Sequence, residues 1–300
     1  MKLHHIRAFL AVHEHGSLRA AAAALDMTQP ALTKSLKQLE EELGVTLFER
    51  SIRGMQATSF GRSFAVRARM ADAELRRGVE EIQHMRGLHE GQIGVGVSPA
   101  PAMQLLPMVL RRFHAQYPHV NLRLVDGQYP FYLPSLRDGS LDFVVGPRPP
   151  EVLSTEFHSE VLFTNPNTVL CRQGHPLAGA KRVEELQDVE WVLPSMNRGP
   201  SMAISDLFHA RGLGQPKCRV SSETLTVTQA LVAETDLMTV LPLGGFLAGA
   251  IRPDIIRVDL EDRVKAYEIC IISRAGVPLS PAAQVLADVF RRTPARFVTR

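Results

Sequence analysis

SLRAAAAALDMTQPALTKSLKQLEEELG, residues 17–44, reads as two short helices and the tight turn between them. Ser17 can cap the first, LRAAAAALD, by accepting from one of the free N–H groups that open a helix. Its alanine run lets a second helix backbone approach closely. Asp26-Met27 make the turn. Thr28 can cap the next helix, whose Pro30 falls in the first turn, where a missing N–H costs nothing. Leu32, Leu36, Leu39 and Leu43 recur at i, i+4, i+7 and i+11, so one face is expected to be buried. The face carrying Gln29, Thr33, Lys34 and Lys37 is left free.

Upstream, LHHIRAFLAVH (3–13) places Leu3, Ile6, Leu10 and Ala11 on one helical stripe with Phe9 beside it, and Gly16 breaks the pattern. Downstream, Gly44 ends the second helix of the pair. VTLFERSIRGMQATSFG (45–61) then sets β-branched and aromatic residues around Arg53-Gly54, which predicts a two-stranded hairpin. From Phe60 to about Leu88 there is no proline, and Phe64, Ala68, Ala71, Leu75, Ile82 and Met85 fall at spacings of three and four. That predicts a long helix with a seam for a coiled-coil partner. Gly78 fills the remaining slot, at a cost of about 1 kcal/mol relative to alanine, and lets two backbones come close.

From Gly91 the texture changes. Strand IGVGV (93–97), a helix over about 102–116, strand VNLRLV (120–125), a short helix near 131–138 and strand LDFVV (141–145) alternate as βαβ units do. A parallel sheet is expected. The alternation recurs with strand 190–194, helix 200–211, strand 217–222, helix 225–234, strand 237–242 and a final helix after Ser280. Two similar α/β lobes should follow, hinged where the chain crosses between them.

The 300 residues, 45% hydrophobic and 22% charged, suit a folded chain of more than one domain rather than a disordered or collagen-like one. Cys171, Cys218 and Cys270 are few, odd in number and far apart. They exclude a disulfide framework, a CxxC pair and a cysteine zinc cluster, and point to a reducing compartment. No stretch reaches the roughly 18 apolar residues of a membrane span. His13, Glu14 and His15 stand where a secretory leader would need small residues, so a cytoplasmic location with no membrane partner is expected. The net charge of +3 decides nothing about nucleic acid. Its distribution says more. Five arginines (Arg50, Arg53, Arg62, Arg67, Arg69) and no acidic residue lie between Arg50 and Ala71, after the acidic run Glu40, Glu41 and Glu42. Alone, such a tract is a solvated helix face; the neighbouring helix pair makes it an interface candidate.

Residues 1–61 also carry a joint pattern: Gly16-Ser17, Ala21-Ala22, Thr28-Gln29-Pro30-Ala31, Leu39-Glu40, Leu47-Phe48, Arg50 and Gly61. With it the region closely resembles the DNA-binding end of LysR-type transcriptional regulators, and the length and βα texture match that family along the chain. Leu18, Thr28, Thr33 and Ala57 stand where Phe, Ser, Ser and Leu are more usual, and none removes a polar function. The resemblance implies an α/β multidomain fold. A winged helix-turn-helix would occupy 1–58 and a linker and dimerisation helix 59–89. A two-lobed, periplasmic-binding-protein-like effector domain would follow, with lobe I from 90–163 and 266–300 and lobe II from 164–265. It implies double-stranded DNA and a small-molecule effector as partners, a homodimer through the linker helix, a homotetramer of two dimers, and RNA polymerase as a further candidate partner.

In a helix-turn-helix the second helix enters the major groove and its early residues meet base edges. The resemblance therefore points to Thr28, Gln29, Pro30, Thr33, Lys34 and Lys37. Glutamine can pair with adenine, lysine can donate to guanine, and the Thr33 methyl can pack on a thymine methyl; the first two roles stay chemically open. Arg50, Arg53 and Thr58 read as wing and phosphate contacts that set affinity and register. Without the surrounding motif, Lys34 and Lys37 are solvated helix charges and Gln29 a helix-start residue. Two heads on a paired helix should read an inverted repeat, since twofold symmetry in the protein is met by twofold symmetry in the site.

Open α/β sheets bind ligands at strand C-terminal ends, where helix starts offer free N–H donors. That singles out Ser98, Pro99, Ala100 and Pro101, then Gln128, Tyr129 and Pro130, then Pro147 and Arg148. The second lobe offers Ser195, Asn197, Arg198 and Gly199, Ser222 to Thr224, and Leu241-Pro242. Hydroxyls at two helix starts with Arg198 nearby suit a small anion, and Tyr129 with Phe131 could flank a ring. A small carboxylate or sulfonate, aromatic in one version, is the expected effector. Ordinary capping is the other reading of Ser98, Ser195 and Thr224, and surface placement that of Arg198.

No enzymatic activity, cofactor or metal is expected. Gly96-Val97-Ser98-Pro99-Ala100 resembles a nucleophile elbow, but the residue after the serine must donate its backbone N–H, and Pro99 has none. The GxGxxG pattern fails at the same proline. His4, His5, His13 and His15 lack carboxylate or cysteine partners at a recognisable ligand spacing. Trp191, the only tryptophan, reads as core of the second lobe. The competing reading from another class is a solute-binding protein without DNA function.

Overall fold

The computed structural model describes residues 1–52, 54–87, 90–127, 130–193, 200–242 and 251–293. Their contacts divide the chain into two units, Met1–Leu88 with Pro134–Leu141, and His89–Leu133 with Asp142–Arg300.

The first unit opens with α1 (Leu3–His15), α2 (Leu18–Ala24) and α3 (Gln29–Leu43). Gly16 and Gly44 close α1 and α3 with left-handed backbone, which glycine adopts without strain. Ser17 accepts from Ala20 N and Thr28 from Ala31 N, so both caps read from the sequence are made. Leu32, Leu36 and Leu39 are buried; Leu43, on the last turn, is 39% exposed and falls out of the expected stripe. The core joins these leucines to Ala21, Ala22, Phe9 and Val12, and the Phe9 ring lies 5.2 Å from Phe48 and 5.0 Å from Phe64. Strands β1 (Phe48–Ser51) and β2 (Gly54–Ala57) pair antiparallel as the wing. Helix α4 (Ser59–Met85) follows, its 27 residues giving about 40 Å of length. The seam read from the sequence divides here. Phe64 and Ala68 pack into the head core, whereas Leu75, Val79, Ile82 and Met85 are exposed.

The second unit begins with β3 (Glu90–Val97), α5 (Pro99–Gln104), α6 (Leu106–Gln116), β4 (His119–Asp126), α7 (Leu133–Arg137, shared with the first unit), β5 (Phe143–Pro147) and β6 (Phe157–Asn165). It continues through β7 (Thr168–Arg172), β8 (Glu190–Leu193), α8 (Pro200–Ala210), β9 (Lys217–Ser221), α9 (Leu225–Glu234), β10 (Thr239–Leu241), β11 (Ile255–Arg257), β12 (Tyr267–Arg274) and α10 (Pro281–Arg292). The single helix expected over 102–116 is two helices meeting at Leu105. Pro107 cannot donate to the Met103 carbonyl and crowds it, so the first helix cannot run on.

A five-stranded sheet has the order β4-β3-β5-β12-β6, and a three-stranded one the order β10-β7-β11. The expected parallel pairing holds for β3 with β4 and β5 and for β8 with β9. It fails elsewhere: β12 runs antiparallel to β5 and β6, and β10 and β11 run antiparallel to β7. A parallel bridge between Trp191 and Met238 joins the β8–β9 pair to the three-stranded sheet. Val95, Phe113, Phe143, Ile271 and Phe290 centre one core, under α6 and α10. Trp191, Phe208, Met238 and Val240 centre another, with the Trp191 and Phe208 rings edge to face. Among the described residues no helix is long and apolar enough to cross a membrane.

Candidate functional site

The exposed face of α3 gathers the sequence-derived candidates. Thr28, Gln29, Pro30, Thr33, Lys34 and Lys37 are all exposed, while Leu32, Ser35, Leu36 and Leu39 are turned inward. The Thr33 hydroxyl donates to Gln29 O at 2.9 Å, so it is spent on the helix and the methyl remains for a ligand. Lys37 lies 3.6 Å from Glu41 in a solvated i,i+4 pair that a phosphate could readily displace. Lys34 has no ion-pair partner among the described residues.

The wing is held against this helix by Glu40, which the sequence marked as part of an acidic run and of the family pattern but gave no structural role. Its Oε1 accepts from Leu47 N at 2.6 Å and Phe48 N at 3.3 Å, tying α3 to the first residue of β1. Met55 N donates to Gly16 O at 2.8 Å, fixing β2 to the turn before α2. Gly54 makes that approach possible, because a Cβ there would lie 2.5 Å from the Gly16 oxygen. Arg50 is exposed on β1 opposite Met55, with no hydrogen-bond or ion-pair partner among the described residues. Thr58, expected as a phosphate contact, is half-buried where the wing meets α4. Its hydroxyl accepts from Gly61 N at 3.0 Å and donates to Thr46 O at 2.8 Å, committing it to the junction of wing and α4. Arg53 lies outside the described residues.

His13, at the end of α1, faces Arg69 of α4. Arg69 Nη2 lies 3.1 Å from His13 Nδ1, and since arginine can only donate, that nitrogen must be the unprotonated one. Burial, and then the Arg69 charge, lower the His13 pKa. Arg69 also pairs with the buried Asp138 at 3.0 Å. The other histidines assemble no site: no cluster of His, Cys, Asp or Glu suited to a metal occurs among the described residues.

In the second unit, Ser98 and Thr224 separate the two readings of a helix-start hydroxyl. Thr224 caps α9, accepting from Val227 N at 3.4 Å. Ser98 precedes α5 but makes no capping bond; it is only 3% exposed, and its Oγ has no hydrogen-bond partner. Ala100 is buried on α5, Pro99 and Pro130 are half-buried, and Pro147 ends β5 opposite Ile269. Arg148 is held by Glu268 at 2.6 Å. Gln128, Tyr129, Ser195, Asn197, Arg198 and Gly199 lie outside the described residues. Sequence reasoning also passed over Gln104, the last residue of α5, whose buried amide has neither of its polar atoms bonded. Burial pushes the Cys270 thiol up to about 11 and raises Cys171 as well, so neither is a thiolate at neutral pH.

Comparison with known proteins agrees with this geometry. Residues 3–62 match the family described as bacterial regulatory helix-turn-helix protein, lysR family, and residues 86–295 match the LysR substrate binding domain. The HTH-type transcriptional regulator GbpR of Azospirillum brasilense is 32% identical over 296 residues, covering 97% of this chain and 86% of GbpR. Full-length CbnR, solved in complex with its target DNA, is 23% identical with a TM-score of 0.71, over 98% of this chain and 100% of that one. A full-length OxyR of Pseudomonas aeruginosa gives 23% and 0.72, over 98% and 96%. The helix-turn-helix head, the long helix and the mixed α/β remainder are thus the fold of full-length LysR regulators. The chain belongs to the LysR family, as a DNA-binding transcriptional regulator with an effector-binding domain.

Proposed function

We propose that this regulator reads an inverted-repeat DNA site with the exposed face of α3, and changes its hold on that site when a small anion binds the effector domain. The observation that carries the reading is the α3 face itself, with Gln29, Thr33, Lys34 and Lys37 in solvent above a leucine stripe sealed in the head core. A helix anchored on one side and polar on the other is what a major groove admits. Arg50 and Arg53 supply phosphate contacts on the wing. That CbnR was solved on its target DNA supports the same partner for this chain.

The domain division accompanying this reading is 1–58 for the head, 59–89 for the linker, 90–163 with 266–300 for lobe I and 164–265 for lobe II. Leu75, Val79, Ile82 and Met85 form an exposed apolar stripe that a second α4 would cover, giving the dimer that two half-sites require; two dimers would make the tetramer. The cytoplasm, where DNA and RNA polymerase meet, is the place of action. At the effector end, the buried Ser98 hydroxyl, which has no hydrogen-bond partner, is the donor we assign to a carboxylate or sulfonate, with Ala100 and Pro130 assigned to the same site.

Footprinting on DNA flanking the gene tests the DNA part. The full-length protein should protect a dyad, Lys34→Ala should flatten its base preference, and Arg50→Ala should weaken all sequences alike while lowering the salt slope by about one. Equal losses on specific and random DNA for Lys34→Ala would overturn the assignment. Calorimetry with aromatic carboxylates and sulfonates on wild type and Ser98→Ala tests the effector part, and unchanged affinity in the variant would reject Ser98.

A further inference from the structure

His13 of α1 and Arg69 of α4 meet where the head is seated on the long helix. Phe9 and His13 stand one turn apart on α1, and Phe64, Ala68 and Asp72 recur every four residues on α4, with Arg69 beside Ala68. The two helices are joined by Phe9 on Phe64, with ring centres 5.0 Å apart, by Arg7 with Asp72 at 2.9 Å, and by Arg69 with His13 at 3.1 Å. Arg7 is half in water, so its ion pair contributes little. The His13–Arg69 contact is better shielded. It also lies at the turn of α1 that carries the wing, because Gly16, three residues on, accepts from Met55 N of β2.

Arg69 is held from its other side by Asp138, 3.0 Å away and 6% exposed, which follows α7 in the segment Pro134–Leu141 of the same unit. Asp138 is itself fixed, its Oδ1 accepting from Ser140 N at 3.0 Å. The guanidinium thus spans α1 and α7 with separate nitrogens, Nη2 to His13 and Nη1 to Asp138. The Asp138 end is an ion pair, the stronger of the two. The His13 end depends on one lone pair. Once the imidazole is protonated both its nitrogens are donors, and two cations face each other across the same 3.1 Å. Among the described residues, the charges acting on the ring are Arg69 from α4 and Glu14 from its own helix; none comes from α2, α3 or β2, which also pack on α1. Burial and the Arg69 charge outweigh Glu14, so the ring stays neutral to a lower pH than an ordinary histidine.

We propose that Arg69 is a positioning residue for recognition of the inverted repeat: gripping α1 through His13 and α7 through Asp138, it fixes how the head sits on α4, and it releases α1 when His13 takes up a proton. This rests on the DNA reading given above and adds its regulation. Because α4 carries the stripe that pairs two chains, the seat of each head on α4 sets the separation of the two α3 helices, which must match half-sites spaced by the turn of the duplex. A loosened seat still lets one α3 enter one groove, but it makes the second engagement less favourable. Acid should therefore weaken binding to a dyad more than binding to a lone half-site.

The test titrates full-length wild type, His13→Asn and His13→Phe by fluorescence anisotropy, with the footprinted dyad and with the same duplex carrying one scrambled half. Titrations are run at about pH 8 and about pH 5, on either side of the histidine range, with dichroism to check that the heads are folded at both. The readout is the ratio of the two affinities, since a plain loss of phosphate contacts weakens both duplexes alike. Asparagine sets an oxygen near the place of Nδ1 and takes up no proton; phenylalanine keeps a ring and has no acceptor. The wild-type ratio should fall about fivefold in acid, the worth of one such hydrogen bond. His13→Asn should hold the alkaline ratio throughout, and His13→Phe should show the low ratio at both pH values. Arg69→Met combined with Asp138→Asn, which strands no buried charge, should match His13→Phe; the His13 variants decide the matter should that pair fail to fold. A wild-type ratio indifferent to pH overturns the proposal, as does an equal fall in His13→Asn, or a His13→Phe ratio equal to that of wild type in alkali. If wild type shows no dyad preference even in alkali, the DNA reading itself falls.

Discussion

Replacing Glu40 with alanine removes the acceptor for the first two N–H groups of the wing, Leu47 N at 2.6 Å and Phe48 N at 3.3 Å. Leu47 is 1% exposed, so water cannot easily take the place of the carboxylate. A hydrogen bond to a charged acceptor contributes about 1.5–3 kcal/mol, and a buried donor left without one costs about 1–3 kcal/mol. The second bond is long and adds little. We expect Glu40→Ala to destabilise the head by about 2–3 kcal/mol, and Glu40→Gln, whose amide oxygen still accepts, by about 1 kcal/mol. Urea unfolding of the full-length protein can separate this from the rest of the chain. The only tryptophan, Trp191, is buried in the second unit, so its fluorescence reports that unit while far-ultraviolet dichroism reports both. The dichroic transition that fluorescence does not follow should move, and the fluorescence transition should not. Hydrogen exchange at the Leu47 and Phe48 amides should quicken in the same variant. A head transition displaced by less than about 0.5 kcal/mol, with exchange at Leu47 unchanged, would refute the argument that the carboxylate carries this junction.

Three further outcomes follow from the first unit. His13 has a lowered pKa in the folded head, so the unfolded chain binds the proton more readily; stability is complete above the ordinary histidine range and declines as pH falls through about 6.5 and below. His13→Gln should flatten the pH dependence of head stability across that window, and an unchanged slope would remove His13 as its source. Gly61→Ala would put a Cβ 2.2 Å from the Leu47 carbonyl oxygen, so α4 must shift; a loss of about 1–3 kcal/mol in the dichroic transition is expected, and a neutral result would contradict the packing. Leu75→Asp with Ile82→Asp should turn dimers into monomers in sedimentation while leaving both urea transitions in place, and an unchanged mass would place the pairing surface elsewhere.

The head was legible because its information is local. The caps at Ser17 and Thr28, the stops at Gly16 and Gly44 and the leucine period from Leu32 to Leu39 each lie within one helical turn of what they determine. Leu43 escaped because a period does not say where a helix leaves its core. The α/β remainder was legible only where strand and helix alternate in sequence. Strands β6, β7, β11 and β12 were not anticipated: β12 pairs with β5 across more than a hundred intervening residues, and its centre, ICII, is a short apolar run with no period of its own. The exposed residues of α3 could be named from spacing, since exposure opposite a leucine stripe is implied by the stripe, while their role as an interface came from the family resemblance. Glu40, Ser98 and Gln104 could not be sorted in that way. Whether a carboxylate braces a wing, or a hydroxyl or amide lacks a partner, depends on atoms brought together only by the folded chain.

The place of β12 between β5 and β6 bears on how the protein is made. A ribosome delivers the head, α4 and every strand of the three-stranded sheet before residue 267 appears, so the five-stranded sheet waits, split, for its middle piece. A chain stopped short of Tyr267 would carry an intact α3 surface attached to two raw strand edges, those of β5 and β6. Such a fragment would compete for the operator while having no closed receptor to answer to, and its open edges would draw it toward its own copies.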